Sequence, residues 1–201
     1  CGNGVQGACD SLTFSVGESL INMYRNPVLW WGKNQLTADT IRILTGKNAI
    51  KKIYMYSTAF IVSKDSTDSF NQIRGKNMVG HLVNNELRSI DVVGNAETVY
   101  FVREDNNALI GVNKAAGSKM RLYVNDSKIE RIVYYDKPAG NMFPVKSVAE
   151  DQRKLKGFSW RNLVRPLNKD DIFRKSEFKI ETPDKTKEQP KTGSAAPSSV
   201  K

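Results

Sequence analysis

The stretch Lys47–Met55, KNAIKKIYM, returns as NNELRSIDV at Asn84–Val92 and as DSKIERIVY at Asp126–Tyr134. Each copy opens on a polar turn. Each then sets apolar residues at one position, three further on, and two further again. These are Ile50, Ile53 and Met55; Leu87, Ile90 and Val92; Ile129, Ile132 and Tyr134. The residues between are mostly polar or charged. Repetition over tens of residues constrains architecture more than any local signal, because each unit has to bury its apolar face against the next.

A second short strand precedes each turn, carrying Ile41 and Ile43, then Met78, then Met120 and Leu122. An earlier, incomplete copy is visible where Cys9-Asp10-Ser11-Leu12-Thr13-Phe14 matches Ala38-Asp39-Thr40-Ile41-Arg42-Ile43. Its turn is Gly17-Glu18-Ser19. Short runs with period-two alternation between turn residues read as β-strands. Asn-rich turns tolerate positive φ and suit hairpins. The interval from Leu12 to Ile41 is 29 residues, then 37 to Met78 and 42 to Met120, so loops vary while the strand pair is kept. The three-then-two spacing breaks alternation once and predicts a bulge just after each turn. The fold expected is all-β and elongated, built from repeated strand–turn–strand units.

Three segments follow from composition: a β-repeat domain over 1–145 with its first repeat truncated, a capping segment over 146–173, and a disordered basic tail over 174–201. The tail is rich in Lys, Thr, Pro and Ser, which cannot offset the entropy of ordering it. Cys1-Gly2-Asn3-Gly4 lacks the lead of a signal peptide. Cys1 fits either an acylated lipoprotein cysteine or a cut through a longer chain, and the half-repeat favours the cut. With 39% hydrophobic residues and a mean hydropathy of −0.48, a thin two-layer β structure is expected. There is no run of 18 apolar residues of the kind a transmembrane helix requires. The net charge of +10 calls for acidic partners: nucleic acid, anionic lipid head groups or acidic polysaccharide.

Catalysis finds little support. His81, the one histidine, has no evident metal partner, and two cysteines without close spacing make no zinc site. Asp39, Asp91 and Glu97 are scattered, whereas acid–base work needs positioned pairs. Asp10 and Asp39 recur at equivalent strand starts, which points to turn capping. Strand tyrosines near Lys and Arg resemble the stacking platforms of nucleic-acid grooves, but aromatics are ordinary strand formers. No enzyme activity, cofactor, metal or nucleic acid is therefore expected.

The runs NPVLWWGKNQLTADTIRI and FNQIRGKNMVGHLVNNELRSIDVVGNAETVYFVRE resemble the OstA-like, LptA-like lipopolysaccharide-transport family of Gram-negative bacteria. The closing LKGFSWR…RP is similar to its Bacteroidetes branch. The resemblance implies a C-terminal fragment with an open β-jelly roll whose apolar interior holds acyl chains. It also implies a periplasmic module that bridges toward the outer membrane by stacking on inner- and outer-membrane components of the same fold, or head to tail on itself. Ile41, Ile43, Ile53, Met55, Met78, Ile90, Val92, Met120, Leu122 and Ile132 form the candidate lipid-binding row, and such rows also build ordinary cores. Arg88 and Lys128 are the candidate head-group contacts. The alternatives are a cell-envelope β-repeat scaffold for protein–protein interaction and a polysaccharide-acting β-helix enzyme.

Overall fold

A computed structural model describes residues 5–47, 49–66, 69–104, 106–125, 128–166 and 171, with backbone alone at 128, 146 and 151. The expected tail, 174–201, and Cys1 lie outside the described residues. The strands are β1 (Gln6–Ala8), β2 (Ser11–Ser15), β3 (Leu20–Tyr24), β4 (Val28–Trp31), β5 (Asn34–Thr37), β6 (Thr40–Thr45), β7 (Ile50–Lys64), β8 (Phe70–Val83), β9 (Glu86–Arg103), β10 (Leu109–Asn125), β11 (Lys128–Tyr135) and β12 (Ala139–Phe143). All pairings among them are antiparallel, in one 12-stranded sheet.

That sheet is bent into two leaves. The N-terminal half of β7 pairs with β6, and its C-terminal half with β5. In β10 the order is reversed, with β12 beside its first half and β11 beside its second. The first leaf therefore runs β2-β3-β6-β7-β8-β9-β10-β11, and the second β1-β4-β5-β7-β8-β9-β10-β12.

The corner between the leaves is a ladder of bulges in which two residues oppose one. Ser57-Thr58 face Lys76, because Tyr56 pairs with Asn77 and Ala59 with Gly75. Gly94-Asn95 sit between Lys76 and Ser118. Arg25-Asn26 lie between Asp10 and Asp39, and Asp136-Lys137 lie opposite Ser118. Every doubled residue has positive φ, from 49° at Asn95 to 84° at Gly94. That conformation costs roughly 1–2 kcal/mol for a residue with a Cβ, so neighbours must hold it. Asn77 Oδ1 accepts the Ser57 N–H at 3.1 Å, and Asp39 Oδ1 accepts the Thr58 hydroxyl. The Asp39 N–H donates to the carbonyl of Ser57 at 3.1 Å, so this aspartate braces the corner by both its backbone and its side chain.

The corners carry a repeated tetrapeptide: Tyr24-Arg25-Asn26-Pro27, Tyr56-Ser57-Thr58-Ala59, Val93-Gly94-Asn95-Ala96 and Tyr135-Asp136-Lys137-Pro138. Small residues also precede the single corner residues, at Cys9, Ala38, Gly75 and Gly117. Space is the reason at Gly75, where a Cβ would run into Val92 Cγ1.

The bulges expected after the turns are present. Register shifts fall between Leu44 and Thr45, His81 and Leu82, and Tyr123 and Val124. They leave Lys51, Arg88 and Glu130 as the extra residues. This is why Ile50 and Ile53, three apart, share a face.

Residues 144–166 hold three 3-10 turns, Val145–Ser147, Asp151–Arg153 and Asn162–Val164. They form a strap across the outer face of the second leaf. Three glutamines of one cross-strand row hold it. Gln72 donates to the Arg153 carbonyl and accepts the Leu155 N–H, both at 2.8 Å. Gln35 donates to the Ser159 carbonyl at 2.7 Å and accepts the Arg161 N–H at 2.6 Å. Gln6 donates to the Pro166 carbonyl at 2.8 Å and accepts from Arg165 Nε at 2.6 Å. Between the glutamines, Val62 and Trp30 are fully covered. Phe70 meets Phe158 and Trp160 with ring centroids 5.4 and 5.2 Å apart. Val148 and Leu155 close over Val99, Phe101 and Val112.

Candidate functional site

All ten candidate lipid-binding residues face inward on the first leaf, in two cross-strand rows. The row nearest the corner is Leu12, Met23, Ile41, Met55, Met78, Val92, Met120 and Tyr134. The next contains Phe14, Ile21, Ile43, Ile53, Gly80, Ile90, Leu122 and Ile132. Nine of the ten are at most 5% exposed, and Ile132 is half-buried. Leu29, Leu36, Ile61 and Ile73 of the second leaf close over them. In this structure the two rows are packed core.

Sequence periodicity missed the second leaf's contribution. Val28-Leu29-Trp30 and Ala59-Phe60-Ile61-Val62 are buried on both faces, so their alternation is erased. Met23 was also missed as a member of the row. With Met55, Met78 and Met120 it places four flexible, polarizable side chains at the corner.

The rows end differently at the two edges. At the N-terminal edge they run out to Leu12 and Phe14, 58% and 57% exposed, because among the described residues β2 has no further strand beside it and the second leaf stops at the short β1. At the other edge Tyr134 crosses the gap, and its hydroxyl lies 2.7 Å from Thr98 Oγ1 on the opposite leaf. Burial pushes the Tyr134 phenol above its ordinary pKa, against a smaller opposing effect of the Thr98 hydrogen bond.

The head-group candidates lie at the tip of the first leaf. Arg88 is an exposed bulge residue that donates to Glu86 and, at 3.3 Å, to Asn125 Oδ1. Lys128 pairs with Asn125 in the sheet, and its side chain is outside the described residues. His81 faces outward and bonds Asp91 Oδ2 at 2.9 Å. The hydrogen bond from Arg121 is the main reason that the Asp91 carboxyl is held below its ordinary value, with His81 adding to it. Among the described residues no three His, Cys, Asp or Glu side chains gather as a metal site. Two surface clefts, one at the outer corner beside Tyr24 and Asp39 and one beneath the strap beside Gln72 and Phe101, do not open on the apolar rows.

No protein-family model matches the sequence, and no curated protein does. Among solved structures the chain is similar to LptH from Pseudomonas aeruginosa, described as the LptA homologous periplasmic component of the conserved lipopolysaccharide transport device. The TM-score is 0.53 at 13% identity, over 70% of this chain and 94% of that one. At that identity the likeness speaks to architecture. Together with the bent antiparallel sheet and its open edges, it shows that the chain has an LptA-like β-jelly-roll fold.

Proposed function

We propose that this chain is a non-enzymatic, periplasmic lipopolysaccharide-binding module that shields acyl chains between its leaves and bridges toward the outer membrane. The observation that supports this most is the pair of continuous apolar rows, rich in methionine at the corner and uncovered at Leu12 and Phe14. Acyl chains enter by parting the leaves about the corner. Acyl chains that enter replace the contact of Leu29, Leu36, Ile61 and Ile73 with the rows by their own, at about 0.8 kcal/mol per buried CH₂. The polar contact to be broken at that edge is the Thr98–Tyr134 hydrogen bond, worth about 1 kcal/mol net. The open backbone edges of β2 and β11 provide for pairing with further β-jelly-roll modules or another copy, since an unpaired edge recruits strands.

The test places a photo-crosslinker at Met55, Ile90 or Ile132, facing inward, and at Lys52, Ser89 or Arg131, facing outward. Adducts are mapped to the acyl part of lipopolysaccharide by mass spectrometry. Inward probes should label acyl chains and outward probes should not. Equal labelling from both faces, or none in folded protein, overturns the lipid reading and leaves an envelope interaction scaffold, which the exposed β2 edge favours.

A further inference from the structure

We infer that the outer face of the first leaf is a binding surface for an anionic glycan. The strap covers the outer face of the second leaf, and no described element covers this one. Tyr24, Tyr54, Tyr56, Tyr123 and Tyr135 all project from it, by the alternation that sends their neighbours Met23, Met55, Leu122 and Tyr134 inward.

The charge on this face is one-sided. Arg42, Lys52, Lys119 and Arg131 project from the same rows, and among the described residues none of them is in an ion pair. Exposed sheet surfaces ordinarily set opposite charges across from each other. Here Arg42 lies between Asn22 and Tyr54, Lys119 between Val93 and Tyr135, and Arg131 opposite Tyr123. Asp91, in the middle row, is already held by Arg121 and His81.

The cations and rings organise each other. The Arg131 guanidinium lies 4.2 Å from the Tyr123 ring centroid and that of Arg42 5.3 Å from Tyr56. The Tyr54 and Tyr56 rings are parallel within 5°, with centroids 6.2 Å apart. Tyr24 and Tyr56 stand two strands apart, about 9–10 Å, a reach that spans two pyranose rings. Sugar rings offer apolar C–H faces to such aromatics. Uronate or phosphate groups on the same chain match guanidinium forks. A lipid surface fits less well, because the exposed large apolar residues on this face are Tyr56, Val83, Val93 and Tyr135, and its leucines, Leu20 and Leu44, are half-buried at the far tip, leaving no Ile, Phe or Trp to insert.

The experiment titrates the full chain with a 1,4-linked oligouronate, which has no acyl chain, so its outcome is separate from that of the lipid reading. Neutral dextran oligomers, a single-stranded oligonucleotide and phosphatidylglycerol vesicles are run beside it. Oligouronate should bind in a salt-dependent way and dextran should not. Arg42→Ala with Arg131→Ala, and Tyr54→Ala with Tyr56→Ala, should each weaken binding by about tenfold or more, with unchanged circular dichroism. The inference is overturned if oligouronate does not bind, if both double variants bind as the parent does, or if the oligonucleotide or the vesicles bind more tightly.

Discussion

Thr98 on the second leaf and Tyr134 on the first join their hydroxyl groups at 2.7 Å across the interior. Thr98 is 2% exposed, so water cannot replace a lost partner. Tyr134→Phe should lower stability by about 1–3 kcal/mol through the unpaired threonine hydroxyl. Adding Thr98→Val should recover part of that loss. Both variants should take up lipid faster than the parent. Chemical denaturation and stopped-flow lipid uptake give the two readouts, and unchanged uptake in both would count against parting of the leaves at this edge.

The glutamine row fixes the strap by its backbone. Gln35 and Gln72 are 1% and 2% exposed, and each satisfies one N–H and one C=O of the strap. Gln35→Leu strands the Ser159 carbonyl and the Arg161 N–H, at a cost of about 1–3 kcal/mol. Hydrogen exchange should speed up first at Arg161, with the Leu155 amide less affected. Uniform acceleration along the strap would show that it moves as one body.

At the corner, Gly94 has φ of +84°, and a Cβ there would stand 2.8 Å from Lys76 Cβ. Gly94→Ala should destabilise by about 1–3 kcal/mol. Ser57 already carries a Cβ at φ of 54°, and glycine adopts that conformation freely, so Ser57→Gly should be far milder. Thermal melts of both variants give the order, and the reverse order would remove the strain argument.

Asp91 makes stability depend on pH. Its carboxyl is lowered from 3.8, first by Arg121 and then by His81. A depressed carboxyl contributes stability above the unfolded value and loses it as pH falls through the folded one. Asp91→Asn should therefore be less stable than the parent near neutrality, and the gap should shrink below pH 3.8. Because the pair is partly exposed, 44% at Arg121 and 25% at Asp91, the gap should also narrow in high salt. Denaturation curves across pH measure it.

What could be read from the sequence was whatever repeats locally. Period-two alternation and Asn-rich turns give the hairpins, and the three-residue step from Ile50 to Ile53 gives the bulge at Lys51. The inward direction of the ten candidate residues was legible because Lys52, Ser89 and their like mark the opposite face, whereas Met23 of the same row was missed. The corners were not, since the doubled residues Arg25-Asn26, Ser57-Thr58 and Asp136-Lys137 share a conformation and no residue type, and only the tyrosine before each recurs. Their strain is relieved from other strands, as by Asn77 and Asp39. The strap's anchoring was hidden for the same reason: Gln6 and Pro166 meet across 160 residues of sequence.

The two-against-one corner also dictates where the chain can change length. Removing one residue from Ser57-Thr58 would turn half of β7 inside out, because side chains alternate. The tips carry no such parity rule, since a hairpin can grow by matched additions to both strands. Leu12, Ile41, Met78 and Met120 each lie two residues past a single corner residue, yet their separations rise from 29 to 37 to 42. All of that growth is in the outlying tips and none at the crease. The molecule is thus a wedge, narrow at β2 and flaring toward β9 and β10. A row of such wedges joined edge to edge would meet at unequal widths, leaving a step at every joint.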